Sequence, residues 1–352
     1  STALLVIALA IAWIPLESSW LVVVFFSLLT IHSMGSGLNG LAFIDIVAKV
    51  IPTTRRGSFF AQRAFWGGLV ALVTGPFIGF LLAESSGIRF PRNVAWLFGG
   101  AFVTQVVASG FWLMVKEPSS KVIPGKVDWI EQFKRGGQLL RENAPYRMYI
   151  LVQILKVLAD TAGAFYVVYA KEALGISAQM VGVYLTSRTA ASIGSNLLWG
   201  RVSDRLGNRR LLQIGNALGL CTPLIALGVG VMGSQVTTDA SWWSWAYALV
   251  FVISGVFVAA ANIARNGYLL DLAPPEQRPL YMGFANTLRG LAQFAALTSG
   301  LIVDWAGFSV LMVLSAGFYG LAFVLTLGMP EPRETTPPMP FAGSTTANQS
   351  LQ

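Results

Sequence analysis

The amino-acid sequence predicts an all-α, polytopic membrane protein, and two observations support that prediction. Hydrophobic residues make up 55% of the chain and charged residues only 11%, whereas about a quarter of the residues of a soluble domain are charged. Most of the apolar runs also have the roughly 18 to 25 residues that a helix needs to cross about 30 Å of hydrocarbon. Backbone groups inside a bilayer must be satisfied within their own segment, so these runs are expected to be helices.

Ten helical spans are expected, and residues typical of helix ends separate them. Prolines lie in or beside the loops, and tryptophans near span ends suit the aromatic belts of a membrane interface. The expected spans are residues 1–16, 20–47, 58–83, 93–115, 147–170, 179–199, 211–233, 242–267, 280–303 and 308–329.

Lysine and arginine are distributed unevenly between alternate loops. With the loops alternating sides, nineteen of the 24 lie on one side, Arg265 and Arg289 among them, and three lie on the other. Cationic short loops resist translocation, so we expect the first side and the C-terminus in the cytoplasm, and the chain in the plasma membrane, the inner membrane of a bacterium. The basic pI of 9.8 therefore reflects topology, and no nucleic-acid partner is expected.

Four regions follow from this pattern. Residues 1–115 are expected to form a partial N-terminal transmembrane bundle, residues 116–146 a cytoplasmic linker, and residues 147–329 a C-terminal transmembrane bundle. Residues 330–352 are rich in Pro, Thr and Ser without an apolar face, so a disordered cytoplasmic tail is expected there. The linker contains an amphipathic stretch that suits a helix on the membrane surface. Its apolar stripe is Trp129, Ile130, Phe133, Leu139 and Leu140.

The chain contains an internal repeat. IPTTRRGSFFAQRAFWGGL, from residue 51, aligns without gaps with APPEQRPLYMGFANTLRGL, from residue 273, at an offset of 222, and NGLAFID from Asn39 parallels NGYLLD from Asn266. Duplicated halves are a common plan of membrane transporters. The offset places the counterpart of the region around Gly200 before Ser1. We therefore expect residues 1–16 to be the remainder of a third span and the complete protein to have twelve spans.

A charged stretch, GRVSDRLGNRR, separates two apolar runs. It resembles the signature G-x-x-x-D-R-x-G-R-R/K of the major facilitator superfamily, which follows the second or eighth span, and Asn208 is its only departure. The resemblance extends over the chain as spans three to twelve and implies a fold of two pseudo-symmetric helix bundles. The matching residues are Gly200, Asp204, Arg205, Gly207, Arg209 and Arg210.

The resemblance also implies that Asp204 belongs to a latch that closes the cytoplasmic side in the outward-facing state. By the pseudo-symmetry, Asp204 would face the start of the fifth span near Arg56, where the positive end of a helix favours an acid. A solvated loop that only sets topology is the alternative.

The stretch GGLVALVTGPFIGF resembles the antiporter motif of the fifth span, although Ala71 and Phe80 replace two glycines. Proton antiport and ordinary helix packing are both open, because small residues let helices approach closely and proline bends them. The matching positions are Gly67, Gly75, Pro76 and Gly79.

Polar and charged residues within spans are candidates for transport, because charge at bilayer depth is costly. Asp160 and Arg188 fall near mid-membrane, and Lys156 is one helical turn from Asp160. We expect Asp160 to bind substrate or protons, with an ion pair to Lys156 or Arg188 as the structural alternative. His32, the only histidine, could relay protons or bond to a helix neighbour. Asn39 could contact substrate or bond across helices.

Together these features predict a secondary active transporter that moves a small molecule by alternating access, with proton coupling left open. A non-transporting membrane sensor or scaffold on the same fold is the rival. The sequence has no phosphate-binding G-x-x-x-x-G-K-[ST] loop and no catalytic motif, so neither an enzyme nor a cofactor is expected. The expected partners are a small-molecule substrate, the lipid bilayer and, for a coupled transporter, protons, and the chain is expected to be a monomer.

Overall fold

The computed structural model describes residues 2–13, 19–82, 87–88, 90–115, 129–176, 178–233 and 241–332, and every regular element in that part of the chain is a helix. This confirms the expected all-α class. Two compact units divide the chain, Ser1–Trp129 and Ile130–Gln352. The helices are α1 (Thr2–Trp13), α2 (Ser19–Val50), α3 (Arg56–Leu82), α4 (Arg92–Leu113), α5 (Trp129–Glu142), α6 (Ala144–Asp160), α7 (Phe165–Glu172), α8 (Ala178–Gly233), α9 (Ser241–Leu272), α10 (Arg278–Gln293) and α11 (Ala296–Leu327).

Six helical runs among the described residues are long and apolar enough to cross a membrane. Two of them, Met180–Met232 and Pro275–Leu327, have 53 residues each, although one span needs only about 20. Each contains one glycine in the left-handed region, Gly207 (φ 83°) in α8 and Gly307 (φ 85°) in α11. Glycine adopts this φ without steric cost, so each glycine interrupts the helix that contains it.

Contacts with α9 show that α8 reverses direction at Gly207. Before the glycine, residues further along α8 meet residues further along α9, so this part of α8 runs parallel to α9. After the glycine the order is inverted, so the second part runs antiparallel. The contacts, in order along α8, are Tyr184 with Ser244, Trp199 with Val256, Asn208 with Gly267 and Gly215 with Ala260.

The internal repeat is visible in the helix boundaries. α2 and α9 each have 32 residues, and at the offset of 222 both their first and their last residues coincide. Each is followed by a proline with φ −55°, Pro52 or Pro274, and by a three-residue 3₁₀-helix. The next helix begins with an arginine in both cases, Arg56 in α3 and Arg278 in α10. The two halves therefore repeat element by element where α2 is followed by α3 and where α9 is followed by α10.

The second likeness between the halves does not share this register. The helix boundaries pair Asn39 with Ala261 and not with Asn266. Asn39 and Asn266 are 227 positions apart, so pairing them would need an insertion of five residues in α9 relative to α2. The two helices are equal in length, so there is no such insertion. Of the two sequence likenesses, the stretch that starts at residue 51 is the one that shares the register of the helices.

In the first unit, α1 packs against α2 and α4. Ile7, Ala10 and Ile11 are buried against these helices. Phe25 of α2 meets Phe98 of α4 edge-on, with ring centres 5.8 Å apart. The apolar side chains of α1 thus form a packed cluster with α2 and α4.

Arg56 closes the C-terminal end of α2. Its side chain is only 3% exposed and donates to the carbonyls of Ala48 (2.9 Å) and Ile51 (3.2 Å). The last carbonyls of a helix have no partner within that helix, and a cation there also complements the helix dipole. Arg56 therefore stabilises the corner between α2 and α3.

Buried tyrosines connect the helices of the second unit. Five of them donate their hydroxyl to a backbone carbonyl of another segment, and all five rings are buried. A polar group in hydrocarbon needs a partner, and these bonds supply one without placing charge in the core. The donors and carbonyls are Tyr146 to Tyr281, Tyr149 to Arg265, Tyr184 to Ser244, Tyr247 to Tyr166 and Tyr268 to Pro330, at 2.8–3.1 Å.

The amphipathic stretch of the expected linker forms α5, and α5 packs against α10 within the second unit. Phe133 meets Phe284 of α10 with ring centres 5.3 Å apart, and a Cβ at Gly136 would overlap the same ring. Asn143 then caps α6 by accepting from the Tyr146 amide at 2.9 Å. One face of α5 is therefore attached to α10.

Residues 330–332 follow α11 in a defined position, although the sequence predicts a tail from residue 330. The Pro330 carbonyl accepts from Tyr268 at 2.9 Å, and Glu331 is only 9% exposed. The remainder of the expected tail, residues 333–352, lies outside the described residues.

Helices α8 and α9 cross at Gly255, where a Cβ would overlap the carbonyl oxygen of Arg188. We expect Gly255→Ala to force the helices apart and to lower the free energy of unfolding by about 1–3 kcal/mol, the usual cost of overpacking. Thermal unfolding of the purified full-length protein in detergent measures this change. Gly228→Ala is the control, because nothing lies within 4 Å of its Cβ position. Equal effects of the two substitutions would contradict the close crossing.

Candidate functional site

One cavity of the second unit is lined by polar and charged residues. It has a volume of about 170 Å³ and lies between α6, α9 and α10. Charge at membrane depth is costly and usually functional, so this cavity is the candidate site. Its lining residues are Gln153, Lys156, Val157, Asp160, Phe257, Val258, Ala261, Asn262, Arg265 and Arg289.

Asp160 is the last residue of α6, at a break in the helix. A 3₁₀ turn, Thr161–Ala164, separates α6 from α7. Asp160 is exposed, and the Tyr319 hydroxyl of α11 donates a hydrogen bond to its carboxylate. The C-terminus is the negative end of a helix dipole, so an acid there is unfavourable without compensation. Such a position costs stability, which is typical of a functional residue.

Lys156 lies one turn before Asp160 on α6. It is 6% exposed, and its Nζ lies 5.4 Å from the centre of the Phe257 ring, whose face attracts a cation. No ion pair within 4 Å joins Asp160 to Lys156 or Arg188 among the residues that the structure describes. The carboxylate therefore contacts a tyrosine and the lysine an aromatic ring, in place of the ion pair considered from the sequence.

The cavity is also lined by two arginines, Arg265 and Arg289. The distribution of Lys and Arg among the loops places both on the cytoplasmic side. Arg265 lies seven residues before the end of α9. Arg289 lies eleven residues after the start of α10, about 16 Å along the helix axis. The Tyr149 hydroxyl donates to the Arg265 carbonyl at 3.1 Å. In the sequence both arginines belong to the basic side of the loop pattern, and the eleven residues between Arg278 and Arg289 are the one sequence signal that Arg289 lies within a span.

Gln153 and Asn262 add side-chain amides to the cavity. Gln153 is 5% exposed, and its Nε2 has no hydrogen-bond partner among the described residues. Asn262 is exposed. A buried donor without an acceptor costs free energy unless a ligand or a water bonds to it. The cavity thus offers more N–H groups than acceptors.

The remaining transport candidates lie elsewhere. Arg188 of α8 is half-buried and close enough to Asp160 to attract its charge. His32 and Asn39 lie on α2 in the first unit, where His32 is half-buried and Asn39 is exposed. The structure gathers Lys156 and Asp160 at one cavity, and the roles of His32 and Asn39 stay predictions.

The charged signature stretch joins the two parts of α8 and contacts the end of α11. A Cβ at Gly207 would overlap the Glu331 carboxylate. The Arg209 amide donates to that carboxylate at 3.0 Å, and the Arg209 guanidinium donates to the Leu327 carbonyl at 2.7 Å. Gly207 is therefore needed both for its positive φ and for the close approach of Glu331.

Asn208, where the stretch departs from the signature, is fully buried. It accepts from the Ser203 hydroxyl and donates to Asp271 of α9, both at 2.7 Å. An approach of Asp204 to Arg56 would join the two units and stays a prediction. Of the other signature positions, Gly200 is buried, Asp204 half-buried, and Arg205 and Arg210 exposed.

The antiporter-like stretch lies on α3, which continues as one helix from Arg56 to Leu82. Nothing lies within 4 Å of a Cβ built at Gly67, so no close helix approach occurs there within the described part of the chain. The side-chain surroundings of Gly75, Pro76 and Gly79 lie outside the described residues. A role of this stretch in proton antiport stays a prediction.

Comparisons with known protein sequences agree with this architecture. A family model described as Major Facilitator Superfamily matches residues 149–349. Uncharacterized proteins of Mycobacterium bovis and Mycobacterium tuberculosis are 21% identical over 253 residues, which is 72% of this chain and 47% of theirs. The chain therefore spans about half the length of the curated relatives it matches.

Two solved structures share the fold. A bacterial homologue of the iron transporter ferroportin in the outward-facing state matches with a TM-score of 0.70 and 15% identity, over 93% of this chain and 81% of that one. The structure of such a homologue with soaked iron matches with a TM-score of 0.63 and 14% identity, over 93% and 80%. Identity this low shows a shared fold and not a shared substrate.

Asn208→Asp would place a second carboxylate beside Asp271 in a buried position. We expect it to lower the free energy of unfolding by about 2 kcal/mol, because like charges repel and a donor is lost. Thermal unfolding at neutral pH measures this loss. Gln277→Glu, an equivalent change at an exposed position, is the control. Equal stability of the two variants would contradict the buried bond.

Proposed function

Because the chain belongs to the Major Facilitator Superfamily, we propose that it is a secondary active transporter that moves a small molecule across the membrane by alternating access. The chain is an integral membrane protein. The cavity lined by Lys156, Asp160, Arg265 and Arg289 is the observation that carries the proposal. A membrane protein keeps charge at bilayer depth where it binds or moves something.

Breaks in the helices around the cavity support a transport site. α6 ends at Asp160 and the chain continues as α7 after the turn Thr161–Ala164, while α10 ends at Gln293 before α11 begins at Ala296. Discontinuous helices are common at the binding sites of secondary transporters. A break between two helical segments lets one segment move without the other.

In this proposal Asp160 is the proton-binding group. It accepts from Tyr319, and it is the acid among the residues that line the cavity. A carboxylate that binds a proton loses its charge and hence its attraction to Lys156 and Arg289. Proton binding would therefore change the relative free energies of the inward-open and outward-open states, as coupling requires.

The proposal also includes the membrane in which the protein lies and the closure of its cytoplasmic side. The basic loops favour the plasma membrane, the inner membrane of a bacterium, with the C-terminus in the cytoplasm. The cavity is formed within one chain, so a monomer is sufficient. The signature stretch acts as the cytoplasmic latch, with the Arg209 amide bonded to Glu331 to hold the turn and Asp204 facing the helix start at Arg56 in the closed state.

Alternating access predicts that the cavity can be reached from each side of the membrane in turn. Asn262→Cys in a Cys221→Ser background should react with a membrane-impermeant maleimide from outside in intact cells and from inside in inverted vesicles. Trp305→Cys, 93% exposed beside the Gly307 turn, should react only from outside, and Arg141→Cys on α5 only from inside.

Reaction of the cysteine at position 262 from one side alone, or from neither, would overturn the proposal. A non-transporting sensor or scaffold predicts that outcome, because nothing requires its cavity to open to both sides. The two controls show that each preparation has the stated orientation.

Asp160→Asn keeps the size of the side chain but cannot gain or lose a proton. If Asp160 couples protons to the conformational change, the ratio of outside to inside labelling at position 262 should depend on pH with Asp160 present. The ratio should be independent of pH in Asp160→Asn. Asp304→Asn, at an exposed position, should keep the pH dependence. A pH-dependent ratio in Asp160→Asn would remove the proton-binding role.

A further inference from the structure

We propose that the cavity binds an anion, a small molecule that carries a carboxylate or phosphate group, and that this anion is the substrate of the transport function proposed above. Three cationic side chains, Lys156, Arg265 and Arg289, line the cavity with one acid, Asp160. A guanidinium keeps its proton in proteins, so the arginines alone outnumber the acid. An anion would compensate the excess of positive charge.

Asp160, the acid that lines the cavity, already has a hydrogen-bond partner. Tyr319 donates to the Asp160 carboxylate. The Tyr319 side chain is 3% exposed and packs edge-on against Phe257 with ring centres 5.2 Å apart, so its position is fixed. Within the described residues no ion pair joins Asp160 to a cation of the cavity. The cationic groups therefore keep N–H donors for a ligand.

Gln153, a neutral donor of the cavity, also lacks an acceptor. Gln153 is 5% exposed, and its Nε2 has no hydrogen-bond partner among the described residues. Lys156, 6% exposed, contacts an aromatic ring and no acceptor in that part of the chain. Buried donors without acceptors favour a ligand rich in acceptors, and carboxylate and phosphate groups have this property.

A metal cation fits these residues poorly. The cavity contributes one carboxylate and neither thiolate nor imidazole. The part of the chain that the structure describes brings no three His, Cys, Asp or Glu side chains together around one point. Metal sites in proteins use several such ligands, and two guanidinium groups would repel the ion. The substrate inferred for this chain therefore differs from iron, which is named for ferroportin, the transporter whose bacterial homologue shares this fold.

The size of the cavity limits the ligand. Its volume of about 170 Å³ corresponds to roughly five or six water molecules at about 30 Å³ each. Phosphate or a short dicarboxylate fits that space, as does the charged group of a larger molecule. Val157, Val258 and Ala261 give the cavity an apolar side against which the carbon atoms of a substrate can pack.

Thermal unfolding of the purified full-length protein in detergent tests the inference. The probes are sodium phosphate, sodium succinate and manganese chloride, each compared with sodium chloride at equal, low ionic strength because salt screens the site. Phosphate or succinate should raise the Tm, and the one that acts distinguishes a phosphate ligand from a carboxylate ligand. A rise with manganese alone, or with none of the probes, would overturn the inference.

Substitutions in the cavity locate the effect. Arg265→Gln and Arg289→Gln should each weaken the apparent affinity for the stabilising anion by about tenfold or more. Arg141→Gln on the exposed side of α5 should leave it unchanged. Unchanged affinity in both cavity variants refutes the site.

The affinity of Asp160→Asn for the anion is a second measurement. It can be made even if the arginine variants do not fold. The substitution removes the one negative charge of the cavity, so it should tighten anion binding by about threefold or more while it abolishes the pH dependence of labelling. Loss of anion binding in Asp160→Asn would show that the carboxylate is itself a ligand and would overturn the inference.

These outcomes separate the anion site from the proposed transport. Labelling of position 262 from both sides without anion binding refutes the anionic substrate and leaves the transporter. Anion binding with labelling from one side refutes transport and leaves a binding site of the kind that a sensor would use.

Discussion

The fold depends on one constraint, which is that a polar group inside a membrane must find its partner within the protein. The second unit meets this constraint with tyrosines that fill space between helices and donate to backbone carbonyls. The Tyr247 hydroxyl bonds to the Tyr166 carbonyl near the break between α6 and α7, and the Tyr149 hydroxyl bonds to the Arg265 carbonyl on α9. Such bonds fix how each helix is rotated, and the rotation decides which side chains face the cavity.

The same constraint separates two kinds of buried polar side chain. Arg56 is buried at the end of α2, where unpaired carbonyls accept its donors, so its charge stabilises the corner. Lys156 and Gln153 are buried beside a cavity, where the described residues offer them no acceptor. The first kind of burial contributes to stability, whereas the second is unfavourable until something else enters the cavity. That difference is the physical reason for placing function at α6 and not at the corner.

The two glycine turns show how one conformation serves different purposes. Gly207 and Gly307 have nearly the same φ, 83° and 85°. The Glu331 carboxylate lies against Gly207, whereas nothing lies within 4 Å of a Cβ at Gly307. The turn at Gly207 reverses the chain and is attached to the end of α11 through Glu331. The buried Asn208 adds a bond from this turn to α9 through Asp271, so the turn is part of the packed unit.

The sequence by itself determined the all-α membrane class, the repeat at an offset of 222 and the signature stretch, because these depend on hydropathy, periodicity and local residue types. It also singled out Lys156 and Asp160, since charge in an apolar run is visible without a structure. Only the tertiary structure placed Arg265 and Arg289 at the cavity, because the side that a cation near a span end faces depends on helix rotation. The partner of Asp160 on α11 is 159 residues away in the chain, and such a contact is set by the packing of whole helices.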